Sequence, residues 1–194
     1  MKISDLIGET TEYDKKVALE EKRPKSWLKS VSAFANCIGG VLIFGVSDND
    51  ELFGLSDVKR VSEVISEQIK QRLDPVPQTV LEIRHEDGKD FILLKVSAGQ
   101  ETPYYYVADG NRIAFVRIGN ESVPADANRL RQLVLKGSGK TYDSLPSRYM
   151  FSELSFAKLR SVYKMRTGTD LSDSDFISFG LMEASGILTN AGVL

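Results

Sequence analysis

The sequence predicts an α+β fold, a mixed and largely antiparallel sheet with flanking helices over residues 1–137, and three observations carry that prediction. Two Asp-Gly pairs, Asp87-Gly88 and Asp109-Gly110, each separate two apolar runs, the signature of a tight β-hairpin. Three other stretches repeat apolar residues at three- and four-residue spacings, as a helix with one buried face does. The elements follow in the order helix, strands, helix, hairpin, hairpin, helix, which favours a mixed or mostly antiparallel sheet.

Taken in order, Trp27, Val31, Phe34, Ala35 and Ile38 mark the first helix, with Pro24 just ahead of it. Gly39-Gly40 stops it. "VLIFGV" (41–46) is too short for a free helix and reads as a strand buried on both faces. "SDND" turns the chain and "ELFGL" resumes the sheet. Val58, Val61, Val64, Ile65, Ile69 and Leu73 form a second helix that ends at Asp74-Pro75, because a residue before proline avoids helical geometry. "TVLEIRHE" and "KDFILLKV" make the first hairpin; "PYYYV" and "RIAFVRIG" make the second. Residues 126–136 form a helix closed by Gly137. Residues 138–152 have the composition of a linker. Residues 153–194 form a helical segment, with helices expected at 153–164 and 174–184. The final "GILTNAGVL" has no polar ending, which suggests an N-terminal piece of a longer protein; a C-terminal strand tucked into a sheet would look the same.

The 194 residues and 42% apolar content suffice for one main core. The net charge of −2 favours neither a nucleic acid nor a membrane partner in bulk, so any basic site must be local. A single cysteine, Cys37, and a single histidine, His85, exclude an internal disulfide, a cysteine zinc cluster and a His-dependent triad. A reduced, cytoplasmic chain is expected, and no apolar run approaches a membrane span.

"GSGKT" (137–141) resembles a phosphate-binding loop, but that motif needs a glycine five residues before Gly139 and a strand in front. Position 134 is Val134 and the preceding segment is helical, so a helix cap and linker are expected instead. The Gly39-Gly40 pair invites a similar reading, yet it follows a helix C-terminus, whose dipole repels anions; a bend is favoured over a phosphate cradle.

Basic residues concentrate in two places. Residues 15–29 hold Lys15, Lys16, Lys22, Arg23, Lys25 and Lys29 against Glu20 and Glu21; residues 112–140 hold Arg112, Arg117, Arg129, Arg131, Lys136 and Lys140 against Glu121 and Asp126. Each has a local charge of +4. Folded together, they would form a phosphate-binding face, beside which the "PYYYV" tyrosines would either stack on bases or pack inward. Glu12, Glu20, Glu21, Asp48 and Asp50 sit near the ends of the same elements. Converging carboxylates would hold a divalent metal, whereas turn chemistry alone also explains Asp48 and Asp50.

"GETTEYDKK" followed by "LKSVSAFANCIGGVLIFGVSDNDELFGL" resembles the Schlafen AlbA-like family, whose members are also known as divergent AAA-type, helicase-related regulators. The resemblance rests on Glu12-Tyr13, Ala33-Phe34-Ala35-Asn36, Gly39-Gly40, Gly45-Val46-Ser47-Asp48 and Gly54-Leu55, with Pro103-Tyr104-Tyr105 and "FVRIGNESVPA" (115–125) resembling its second half. It implies nucleic-acid binding, to DNA or RNA, of a regulator type, within a longer bacterial protein whose C-terminal region binds ATP. RNA-cleaving relatives further imply a carboxylate cluster, matched here by Glu12 and Asp48 with one more acid from Glu9, Glu20 or Glu21, using Mg²⁺ or Mn²⁺. Asp14 departs from the family's usual lysine. The expectation is a phosphate-binding module using Lys15, Lys16, Lys22, Arg23, Lys25, Lys29, Arg112 and Arg117, with Asn36, Gly39 and Gly40 shaping the turn that displays them. It needs no cofactor of its own. The rival expectations are a metal-dependent nuclease and an assembly domain that oligomerises through its sheet edges and serves a downstream ATP-binding region.

Overall fold

The computed structural model describes residues 11–194. The chain divides into two compact units, the first ending at Ser138 and the second spanning Gly139–Leu194. In chain order the first holds β1 (Tyr13–Lys16), α1 (Lys25–Asn36), β2 (Gly40–Phe44), α2 (Val58–Arg72), β3 (Leu73–Asp74), β4 (Thr79–Glu86), β5 (Lys89–Val96), β6 (Tyr105–Ala108), β7 (Asn111–Ile118), β8 (Glu121–Pro124) and α3 (Ala127–Gly137). They build two four-stranded sheets, ordered β1-β2-β5-β4 and β3-β6-β7-β8. Only β1 and β2 run parallel; every other pairing in these sheets is antiparallel. The architecture is therefore α+β with largely antiparallel sheets.

One core joins both sheets. Successive side chains of a strand face opposite ways, so Leu42 and Phe44 of β2 and Ile92, Leu94 and Val96 of β5 point inward against Trp27, Leu28, Val31 and Phe34 of α1. Ile43, Phe91 and Leu93 point outward and pack with Tyr13 and Leu52. From the second sheet Tyr104, Tyr106 and Phe115 join the central core, while Ala114 and Val116 turn to the far face and pack against Leu133 of α3. Tyr104 and Tyr106 are thus packing residues.

The Gly39-Gly40 bend has a steric cause. The Gly39 N–H donates to the Phe34 carbonyl at 3.0 Å, and its φ of +90° suits a residue without a side chain. A Cβ on Gly40 would come within 2.3 Å of the Phe34 ring. The same turn throws Ile38 out of the helical stripe expected of it, and it is 68% exposed. "ELFGL" is not a continuous strand: Gly54, at φ +76°, interrupts it, leaving single bridges at Leu52 and Leu55.

The second unit holds β9 (Pro146–Met150), α4 (Ala157–Thr167), α5 (Asp173–Ser178), β10 (Ile187–Thr189) and α6 (Asn190–Val193). Residues 138–152 are therefore not a structureless linker. They include a 3-10 turn at Tyr142–Ser144 and β9, which pairs antiparallel with β10. The apolar anchors Tyr149 and Phe151 drive this, packing beside Phe156, Phe176 and Leu188, with the three phenylalanine rings 4.8–4.9 Å apart. The helix expected over 174–184 stops at Ser178, because Gly180 adopts φ +69° and Met182 bridges to Leu188. The segment 153–194 is thus mixed rather than wholly helical.

Candidate nucleic-acid interface

The eight basic residues expected on one face occupy different faces. Lys15 and Lys16 are neighbours on β1, so strand alternation sends them to opposite sides. Lys15 is buried on the outer side of the first sheet and ion-paired with Asp50. Lys16 turns inward, 2.6 Å from Asp14. Arg112 and Arg117 are likewise split along β7. Arg112 lies over the Tyr105 ring on the outer side of the second sheet and pairs with Asp74 at 2.7 Å. Arg117 lies over the Phe34 ring, 5.1 Å from its centroid.

Arg117 nevertheless brings the two basic segments together. Its guanidinium donates to the carbonyls of Thr11 and Tyr13 and to the Ser122 hydroxyl. Ser122 donates to Ser30, and Ser30 to the Asp14 carboxylate that also holds Lys16. A chain of polar contacts therefore crosses from β7 and β8 through α1 to β1. Burial lowers the Arg117 pKa by desolvating the guanidinium, and the nearby Asp14 charge opposes that shift. This junction is a half-buried clamp, with its cations already engaged by carboxylate and carbonyl oxygens. The period-two pattern of "YDKK" puts Asp14 and Lys16 on one face; nothing in the sequence marks Ser30 and Ser122 as their partners.

Lys22, Arg23, Lys25 and Lys29 are different. Lys22, Arg23 and Lys25 are exposed and Lys29 is half-buried. None has a carboxylate within ion-pair distance among the described residues. Glu21, the acid nearest in sequence, instead pairs with Arg60 of α2 at 2.8 Å, and its carbonyl accepts from Gln68. A turn closed by Arg23 N–H on the Glu20 carbonyl leads into α1, which carries no acidic residue in its first turn. Lys25 and Lys29, four apart on α1, share one side of the helix. The positive end of the helix dipole adds to their field.

Asn36 does not bond the free backbone groups at its own helix end. Tyr104 and Phe115 are the next opposed pair after Tyr105 and Ala114, and the bonds they would exchange run through α1 instead. Asn36 Nδ2 donates to the Tyr104 and Phe115 carbonyls at 3.0 and 2.9 Å, and Asn36 Oδ1 accepts from Tyr104 N–H at 2.7 Å. Ser32 Oγ donates to the Tyr104 carbonyl and accepts from Phe115 N–H. Two buried polar side chains thus wedge a strand pair open and replace its ladder. The signal in the sequence is a Ser-x-x-x-Asn pair within the apolar second half of α1.

The expected carboxylate cluster does not form among the described residues, where no three His, Cys, Asp or Glu side chains gather in metal-binding range. Glu12 stands beside the start of β2, its carbonyl accepting from Val41 N–H at 2.8 Å, while Asp48 is exposed in the turn beyond the other end of that strand. Glu20 and Glu21 lie in the loop before α1, and Glu9 falls outside the described residues. Gly39 and Gly40 line a shallow depression with Glu12 and Lys95, away from any helix N-terminus. Among the described residues, no helix is long and apolar enough to cross a membrane.

The fold and site define an α+β domain whose cations just before and within the start of a central helix have no ion-paired carboxylate among the described residues. The Schlafen, AlbA_2 family matches residues 8–126, and the chain belongs to that family. No curated protein sequence matches it. The crystal structure of the DIP2311 protein from Corynebacterium diphtheriae is similar at 18% identity and a TM-score of 0.49, over 93% of this chain and 34% of that one. The solution structure of the N-terminal domain of a RecG-related protein from Nitrosomonas europaea is similar at 23% identity and a TM-score of 0.47, over 64% of this chain and 91% of that one. The present chain thus spans about a third of the Corynebacterium protein.

Proposed function

We propose that the first unit is a nucleic-acid-binding module that grips phosphates through Lys22, Arg23, Lys25 and Lys29, without reading base edges. The observation that carries this reading is the uncompensated charge of those four side chains, against the engaged state of Lys15, Lys16, Arg112 and Arg117. Membership of the Schlafen, AlbA_2 family supports it. The site is smaller than the sequence suggested, and it consists of one loop and one helix start. Within a longer protein the module would serve a DNA-binding regulator, holding the nucleic acid for chemistry or signalling done elsewhere.

Backbone contacts of this kind position a protein on a duplex but carry no sequence information. Four neutralised phosphates give a log-log salt slope of about −3.6 on duplex DNA, so affinity falls on the order of 10²-fold between about 50 and 200 mM salt. Fluorescence anisotropy of a labelled duplex and a labelled single-stranded RNA over that range tests it. The Lys22→Glu, Arg23→Glu, Lys25→Glu triple variant is expected to abolish binding to both. A flat salt response, or unchanged binding by the triple variant, overturns the proposal.

A further inference from the structure

Strand β4 ends the first sheet, and among the described residues no strand pairs with its outer side. Its register against β5 is unbroken, from Thr79 opposite Val96 to Glu86 opposite Lys89. One step earlier, Ser97 N–H donates to the Gln78 carbonyl at 3.0 Å, which makes Gln78 and Ser97 a hydrogen-bonded pair. Antiparallel ladders alternate bonded and non-bonded pairs. Val80, Glu82, Arg84 and Glu86 therefore turn their backbone groups toward β5. Thr79, Leu81, Ile83 and His85 turn theirs to the open edge. Val80 is 56% exposed and Ile83 50%.

An open edge this long is a template for another strand unless charge blocks it. Here the charges select a partner. Glu82 and Arg84 flank Ile83 symmetrically and pair with each other within the chain, on the face that also carries Lys95, which bonds Glu82 at 2.7 Å, so across a seam each would exchange that partner for the second copy's. We propose that β4 is a self-association edge, on which two copies of this chain pair antiparallel about a twofold axis at Ile83 and join their four-stranded sheets into one.

In that register Ile83 faces the partner's Ile83, Glu82 faces the partner's Arg84, and Arg84 faces the partner's Glu82. Directly opposed residues have Cβ atoms about 4.5–5.5 Å apart, close enough for both ion pairs. The neighbouring registers are worse. A twofold at Glu82 sets two carboxylates against each other, one at Arg84 sets two guanidiniums together, and one at Leu81 places Glu82 against Val80. Among the centres from Leu81 to Arg84, the Ile83 one pairs each central charge with its opposite while letting Ile83 exchange both backbone hydrogen bonds. A single two-strand seam buries less than the roughly 1,200 Å² of a standard-size interface, so a weak, concentration-dependent dimer is expected. This assembly is independent of the phosphate-binding reading.

Sedimentation velocity of the whole chain from about 5 to about 500 µM tests the proposal, and the wild type is expected to shift from monomer to dimer. Glu82→Lys and Arg84→Glu each place like charges across the seam, so each variant alone stays monomeric where the wild type is dimeric. Mixed in equal amounts, they restore both ion pairs and recover the dimer. Both positions are on the surface, and emission from the buried Trp27 checks that each variant is folded. As a second measurement, Ile83→Cys in a Cys37→Ala background forms a disulfide-linked dimer on mild oxidation, because directly opposed Cα atoms lie about 5.5 Å apart. Val80→Cys in the same background does not. A wild type that stays monomeric, variants that dimerise as the wild type does, or a mixture that stays monomeric each overturns the proposal. The first of these leaves the edge to an extended segment of another protein.

Discussion

Truncating Asn36 to alanine is expected to destabilise the first unit more than any other single change to a polar side chain of α1. Asn36 is 3% exposed, so water does not replace what is lost. The change removes the acceptor of Tyr104 N–H and the donor to the Phe115 carbonyl, while the Tyr104 carbonyl keeps its bond from Ser32 Oγ at 2.7 Å. Two buried backbone groups lose their partners at about 1–3 kcal/mol each, and an estimate of about 4 kcal/mol follows. Ser32→Ala removes the acceptor of Phe115 N–H but leaves the Tyr104 carbonyl bonded to Asn36, so about half that cost is expected. The readout is urea unfolding followed by tryptophan emission. The chain has one tryptophan, Trp27, fully buried in the core of the first unit, so the signal reports that unit alone. A loss below about 1 kcal/mol for Asn36→Ala, or a larger loss for Ser32→Ala, would refute the idea that these side chains replace a strand ladder.

Three further outcomes are expected. Gly40→Ala drives a methyl group into the Phe34 ring and lowers stability by about 1–3 kcal/mol, measured by the same unfolding assay. Arg117→Met lowers stability by about 1–3 kcal/mol through lost hydrogen bonds to the Thr11 and Tyr13 carbonyls, yet leaves the salt slope of nucleic-acid binding unchanged; a reduced slope would return Arg117 to the phosphate-binding set. In the second unit, hydrogen bonds from the side chain and then the backbone of Ser172 lower the Asp175 pKa. The sign follows: the ionised carboxylate stabilises the fold above the unfolded-state pKa, and that contribution is lost as pH falls through the lower folded-state value. An NMR titration of Asp175 is expected to show a midpoint below the ordinary aspartate range, and Ser172→Ala to raise it.

The fold was legible where local chemistry decides it. Asp87-Gly88 and Asp109-Gly110 place both aspartates at φ +51°, as tight hairpins require, and the buried Trp27 and Phe34 follow from helical spacing. Residues 138–152 were misjudged because glycine, serine and proline there mask Tyr149 and Phe151, whose burial depends on partners some 25 residues later. The site was legible only in part. Charge counting finds Lys22, Arg23, Lys25 and Lys29, but it weighs Lys15 and Arg112 equally with them. Only the folded chain shows that Asp50 and Asp74 already hold those two. The acidic partners lie 35 and 38 residues away, so no window along the sequence contains both members of either pair.

The burial of α1 has a consequence for how the first unit comes apart. Both sheets pack on this helix, and its Ser32 and Asn36 complete the backbone bonding of the second sheet, so neither sheet keeps its native core contacts once the helix leaves. Opening of one layer is therefore expected to carry the other with it. Amides of β2, β5, β6 and β7 should exchange their hydrogens with solvent at a common free energy, that of global unfolding, as one cooperative block.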